Sequence, residues 1–189
     1  MSLRSERVII LDRDGVINED SDDYIKSLAE WKPLPRSIDA IVRLSHAGYR
    51  IAIASNQSGI GRNLFPLGEL NAMHQLLREL VVAQGGRIEM IAFCPHTPNE
   101  HCDCRKPNTG LLKEIANRMN ISLVGVPLIG DSVSDIIAAR RVGATPWLVM
   151  TGKGKRTLAQ LRAQDEIFDD LLVCSDLCAA VSVLLNREN

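Results

Sequence analysis

The sequence predicts a three-layer α/β/α sandwich around a central parallel sheet. Two observations carry that reading: short, continuous apolar runs recur along the chain, and amphipathic stretches alternate with them. A run with no polar alternation suits a strand buried on both faces, and helices crossing between such strands cover a parallel sheet. At 189 residues, with 46% hydrophobic and 24% charged, the chain is long enough to bury one real core.

The apolar runs are RVIIL (7–11), RIAIAS (50–55), IEMIAF (88–93), GVPLIG (125–130) and TPWLVM (145–150), five strands in all. Between them, Ile38, Ile41, Val42 and Ser45 keep helical spacing, as do Leu70, Met73, Leu77 and Leu80. Leu112, Ile115, Ala116 and Met119 repeat it, and Ile136, Ala139 and Arg140 begin it again. The layout is Rossmann-like. Residues 152–175 read only as a basic loop, a short helix and a turn; residues 176–186 read as a closing helix. Cys174 and Cys178, four apart where that helix is expected to start, read as core packing, and His74 as a satisfied core histidine. No repeat or linker marks a second unit, so residues 1–189 are expected to form one domain.

Charge and hydropathy exclude several functions. With 22 basic against 23 acidic residues there is no global field to attract nucleic acid or anionic lipid, and 4% aromatic residues speak against a nucleic-acid surface. No apolar run approaches the roughly 20 residues that span a bilayer, and the N-terminus lacks a secretory pattern. The expectation is a cytoplasmic monomer acting on a small molecule.

In open parallel sheets, functional groups belong at the carboxyl ends of the strands. Asp12 and Asp14 follow the first strand, Ser55 and Asn56 the second, a cysteine cluster the third and Asp131 the fourth. Side chains at i and i+2 of an extended chain point the same way, so Asp12 and Asp14 are expected to address one spot while Arg13 faces elsewhere. Two close carboxylates repel and ask for a shared proton or a cation. Asp131, with Asp135 one helical turn on, adds further carboxylates; Asp131 also fits a helix N-cap. Carboxylates converging on a sheet edge make a hard oxygen site suited to Mg²⁺. Ser55 adds a hydroxyl, and the turn after it reads either as an anion cradle or as an ordinary polar turn. Lys106 adds a point charge suited to phosphate. This set matches phosphoryl transfer through an aspartyl-phosphate. Asp12 would attack phosphorus. Asp14, protonated at first, would give its proton to the leaving alkoxide and then take one from water; Ser55 and Lys106 would steady the equatorial oxygens.

In order and spacing, DRDGVIN, SNQSG, CRKP and GDSVSD resemble the four motifs of the haloacid dehalogenase superfamily of phosphohydrolases. Within it the chain is similar to the heptose 1,7-bisphosphate phosphatase branch and to its histidinol-phosphatase relatives, over roughly residues 8–150. The resemblance implies Asp12 as nucleophile, Asp14 as proton donor, and Ser55 and Lys106 as phosphoryl stabilisers. It implies Mg²⁺ held by Asp12, the main-chain carbonyl of Asp14, and Asp131. Arg105 matches a position linked to substrate recognition in the heptose enzymes. The implied activity is loss of the 7-phosphate of a heptose bisphosphate, in ADP-heptose and lipopolysaccharide precursor synthesis; the alternative is histidinol-phosphate phosphatase.

The loop at 94–104 holds Cys94, His96, Cys102 and Cys104, three thiolates and an imidazole able to close a tetrahedral, structural Zn²⁺ shell. His101 is an alternative nitrogen ligand; the resemblance favours His96. Zinc would fix Arg105 and Lys106, which follow at once. The segments between the motifs are too short for a separate cap domain, so loops are expected to read the far end of a phosphorylated sugar. Asp20, Asp22 and Asp23 read as hydroxyl acceptors or as a solvated acidic turn. Asn56, Gln57, Ser58, Arg105 and Ser132 complete the candidate readers, with Arg62 and Arg105 suited to a second phosphate. A phosphoacceptor signalling domain is a rival of another class. Asp14, placed to promote hydrolysis, separates the two: repeated turnover excludes the rival.

Overall fold

The computed structural model describes residues 7–163 and 171–187. Within them the order is β1 (Val8–Leu11), α1 (Ser37–His46), β2 (Arg50–Asn56), α2 (Ser58–Gly61), α3 (Leu67–Ala83), β3 (Met90–Cys94), α4 (Gly110–Met119), β4 (Pro127–Gly130), α5 (Val133–Arg141), β5 (Thr145–Val149), α6 (Gly154–Ala163), β6 (Leu172–Cys174) and α7 (Leu177–Arg187). The strands form one parallel sheet in the order β3-β2-β1-β4-β5-β6. The expected sandwich is present, with β1 at its centre.

The apolar runs explain the layering. Val8 to Leu11 are all buried, but alternate residues serve different faces. Ile9 and Leu11 join a core with Ile41 of α1, Leu70 and Leu77 of α3 and Val181 of α7. Val8 and Ile10 join one with Leu112 and Ile115 of α4 and Ala138 and Ala139 of α5. The small alanines of α5 let that helix lie close to β4 and β5.

Three expectations need correction. A sixth strand, Leu172–Cys174, pairs with β5, where only five strands were expected; three residues on a sheet edge are too few for periodicity to show. Cys174 therefore ends a strand, and the closing helix begins only at Leu177. His74 is buried against the Phe93 ring, 5.9 Å between centroids, but is not satisfied: its Nε2 has no hydrogen-bond partner among the described residues. Burial, with the Arg13 cation nearby, pushes it down to about 4, so it stays neutral. The turn expected around 164–170 lies outside the described residues. Among those residues no helix is long and apolar enough to cross a membrane.

The strand order reverses at β1. β2 and β3 lie on one side of it and β4 to β6 on the other, which opens a crevice at the carboxyl ends of β1 and β4.

Candidate active site

A cleft of about 330 Å³ occupies that crevice. Asp12, Asp14, Ser55, Lys106 and Asp131 all line it, so the residues expected to do chemistry are brought together from four separate parts of the chain. Asp20, Asp22, Asn56, Gln57, Ser58, Arg105 and Ser132 line it too. Asp23 does not; it borders a neighbouring depression. Arg62 is exposed and outside the cleft.

The loop after β1 sets the first two carboxyls. The Asp12 N–H still donates to the Ile129 carbonyl at 2.8 Å, so residue 12 continues the line of the strand. The chain then closes tightly, with the Ile17 and Asn18 N–H groups donating to the Arg13 carbonyl. Asp12 and Asp14 both line the cleft and Arg13 does not, as expected; what the spacing does not foresee is that Arg13 turns back onto Asp14. Its guanidinium is 1% exposed and forks onto Asp14, Nε to Oδ1 at 2.9 Å and Nη2 to Oδ2 at 2.8 Å. Asn18 Nδ2 donates to Oδ1 and Gln57 Nε2 to Oδ2, both at 2.8 Å.

Lys106 is the hub of the other carboxyls. Its buried ammonium donates to the Ala54 carbonyl at 2.5 Å and ion-pairs with Asp12 Oδ1 at 2.9 Å and Asp135 Oδ1 at 2.6 Å. Asn56, a candidate sugar reader, instead grips the Lys106 backbone: its Nδ2 donates to the Lys106 carbonyl at 2.9 Å and its Oδ1 accepts the Lys106 N–H at 3.0 Å. The N-cap of α5 is Ser132, closed into a capping box with Asp135, so Asp131 is not the cap and is free for the site. The Ser132 hydroxyl is spent on Asp135 and Ser134. Gln57 lines the cleft, but its amide faces Asp14 and the Ser55 hydroxyl.

Asp131 sits in a slot that only glycines permit. Gly15 and Gly152 both have positive φ, +79° and +52°, and a Cβ on either would collide with the Asp131 carboxylate. The Lys153 N–H donates to Asp131 Oδ2 at 2.7 Å, and the Thr157 hydroxyl to its carbonyl at 2.8 Å. The Lys153 ammonium pairs with Asp20 at 2.9 Å across the cleft mouth. Gly152, Lys153 and Thr157 meet Asp131 from the segment that the sequence reads only as a basic loop, a short helix and a turn; the short helix is α6. One signal was available: the segment follows β5 directly, and the strand-end rule applies to that strand as well.

The electrostatics ask for a cation. Burial, with Asp135 beside it and Lys106 only partly compensating, pushes Asp12 up to about 7. Burial with Asp12 and Asp135 nearby pushes Asp131 up to about 8. Burial acts to raise Asp14 too, but the Arg13 guanidinium and the bonds from Asn18 and Gln57 outweigh it and hold Asp14 below the usual range. These partners favour the ionised form of Asp14 in the free protein, whereas the expectation has it protonated when the ester reacts. Asp12, Asp131 and Asp135 each offer an oxygen within 4.8 Å of the others, and this hard, over-charged donor set fits Mg²⁺. Asp12 and Asp135 both also pair with Lys106, and Asp135 serves the α5 cap as well. Asp12 and Asp131 bind protons more tightly folded than unfolded, so without a divalent cation stability falls as pH rises from about 4 to about 8. The expected result in chelator is a melting temperature that drops across that range, and a magnesium-induced rise larger at the alkaline end. A profile flat in pH and indifferent to magnesium would rule out this account.

The soft site lies beside it. Cys94, His96, Cys102 and Cys104 converge, with His96 presenting Nδ1 at 3.2 Å from Cys104 Sγ; the three sulfurs are 3.1–3.6 Å apart. Tetrahedral zinc with bonds of about 2.3 Å sets sulfurs roughly 3.8 Å apart, close to this arrangement. Burial pushes the Cys94 thiol well up, so a thiolate there needs a bound cation. His101 is exposed and outside the group.

Known proteins share this fold and much of this sequence. A family model described as "HAD-hyrolase-like" matches residues 103–174. A Pseudomonas aeruginosa D-glycero-beta-D-manno-heptose-1,7-bisphosphate 7-phosphatase is 51% identical over 181 residues, 96% of this chain and 99% of that one. Its Pseudomonas putida namesake is 56% identical over 166 residues, 87% and 95% of the two chains. The crystal structure of the D,D-heptose 1,7-bisphosphate phosphatase from B. bronchiseptica, complexed with magnesium and phosphate, superposes with a TM-score of 0.90 at 45% identity, over 96% of this chain and 99% of that one. Identity of this order across nearly the whole length, joined to a cleft that gathers Asp12, Asp14, Ser55, Lys106 and Asp131, leaves a single assignment: the chain is a phosphomonoester hydrolase of the haloacid dehalogenase superfamily and belongs to its heptose bisphosphate phosphatase family.

Proposed function

We propose that the cleft removes the 7-phosphate of D-glycero-D-manno-heptose 1,7-bisphosphate through a phosphoaspartate on Asp12. The observation that carries the reading is the Lys106 hub, which holds the Asp12 carboxylate at 2.9 Å in a cleft that also presents Ser55, Asp131 and Asp14. The relatives named for this substrate support the choice of ester. Asp12 Oδ attacks phosphorus as the bond from phosphorus to the sugar oxygen breaks. Asp14 gives that oxygen its proton, then takes one from the water that cleaves the acyl phosphate, and inorganic phosphate leaves. Because Asp14 is ionised at rest, its proton arrives with the substrate, whose phosphate charge opposes a second charge alongside. Ser55 donates to a phosphoryl oxygen. Magnesium, when held by Asp12, Asp131 and the Asp14 carbonyl, supplies charge neutralisation on the equatorial oxygens.

Arg105 and Lys153 are the cations at the cleft suited to the phosphate that remains, while Asp20 and Asp22 accept from sugar hydroxyls. Arg62, outside the cleft, is dropped from that role. The reading includes one domain spanning residues 1–189, a monomer in the cytoplasm, and a product used in ADP-heptose and lipopolysaccharide precursor synthesis. A phosphate-release comparison tests it: the heptose bisphosphate should exceed histidinol phosphate in kcat/KM by at least about 10²-fold, within the range that a site built for polar groups achieves. The opposite order would move the enzyme to histidine synthesis.

Zinc in the cysteine loop belongs to the same reading. The loop has two prolines and no core of its own, and the metal supplies its folding free energy. Cys102→Ser should lower bound zinc from one per chain towards zero and reduce kcat/KM about 10- to 100-fold, because Arg105 and Lys106 lose their support. Metal analysis of the purified variant checks this; full activity in a zinc-free protein would exclude it.

A further inference from the structure

The reaction as derived leaves one group without a role. Arg13 is among the largest fully buried side chains, yet it touches no phosphate-binding group. Its fork is spent on Asp14 and, at 3.2 Å, on Gln57 Oε1. Its remaining nitrogen, Nη1, is buried with no hydrogen-bond partner among the described residues. A guanidinium held in the interior by one carboxylate and one amide is there for those two groups.

Gln57 closes the ring. Its Nε2 lies 2.8 Å from Asp14 Oδ2 and 2.6 Å from Ser55 Oγ, while its Oε1 accepts from Arg13. It is 4% exposed, so little of it remains to read a sugar. With Asn18 on Oδ1, the Asp14 carboxylate receives four donors on two oxygens, and neither torsion of the side chain is left free. Proton transfer requires the donor oxygen within hydrogen-bond reach of the leaving oxygen, and an error near 1 Å costs about 10²-fold.

We propose that Arg13 and Gln57 are positioning residues that aim the Asp14 carboxyl at the scissile oxygen, and that Gln57 ties its placement to Ser55, on the phosphoryl group. The proposal rests on the reading of Asp14 as acid and base. Gln57 gives Asp14 and the phosphate-binding hydroxyl a common reference, so the ester is gripped and protonated in one register. A planar fork can do this where a lysine cannot: Arg13→Lys keeps the charge and loses the second bond.

The test exploits leaving groups. An alkyl sugar phosphate needs a proton on its departing oxygen; p-nitrophenyl phosphate does not. Single-turnover release is measured for both substrates with wild type, Arg13→Lys, Gln57→Leu and Asp14→Asn. Each positioning variant should lower the alkyl-to-aryl ratio of release rates by about 30-fold or more, with the KM for the alkyl ester within about 3-fold of wild type. Equal loss on both substrates, or an unchanged ratio, overturns the proposal when Asp14→Asn itself lowers the ratio. An unchanged ratio in Asp14→Asn overturns the acid and base reading, and the proposal with it. Should Arg13→Lys fail to fold, Gln57→Leu decides alone.

Discussion

Asp12→Asn abolishes turnover: phosphate release falls by at least about 10⁴-fold, as loss of a covalent nucleophile does elsewhere. The carboxamide matches the carboxylate in shape, and the backbone bond from residue 12 to Ile129 is untouched, so the fold persists. What disappears is the charged oxygen that forms the acyl phosphate. The substitution also removes a negative charge from beside Asp131, whose proton affinity is raised by burial and by Asp12. The inactive variant should therefore melt no lower than wild type in chelator at alkaline pH. Acid-quench trapping of labelled phosphate gives the decisive reading: wild type retains label on the protein and Asp12→Asn does not. Activity within tenfold of wild type would end the phosphoaspartate account.

Lys106→Met is expected to give the largest stability loss. Burial alone would pull the ammonium's proton affinity down, but Asp12 and Asp135 more than reverse this and hold it charged. Without it both carboxylates stay buried, and breaking a buried pair by removing one partner costs about 3–5 kcal/mol. Because the uncompensated carboxyls take up protons in acid, the loss should shrink towards about pH 5. Catalysis should fall by about 10³-fold, since one fixed charge both orients Asp12 and stabilises the phosphoryl group. Denaturant titrations at two pH values check the first effect and steady-state kinetics the second. A cost equal at both pH values would mean that lost packing, and not unpaired charge, is what the variant suffers.

These effects differ in how far they were legible. The place of Asp12 in the cleft was readable because chemistry sits at strand ends and the apolar run before it marks where β1 stops. The pairing of Asp135 with Lys106 was not, because 29 residues and a strand separate them in the chain. Residue type misled at Asn56 and Gln57: polar residues in a strand-end turn suggest ligand contacts, yet their amides are spent inward on Lys106, Asp14 and Ser55. The contacts of Lys153 and Thr157 with Asp131 were not legible, because a backbone N–H and a hydroxyl donor leave no signature in residue type.

The sequence by itself determined the layer architecture, the strand ends that line the cleft, and the cysteine and histidine residues that converge beside it, because periodicity and residue type are local properties. Only the tertiary structure decided which charged groups pair. It turned Arg13 back onto Asp14, freed Asp131 from the helix cap, and placed Lys106 between two carboxyls. Charge interactions depend on distance and burial, and neither exists until the sheet closes and its crevice forms.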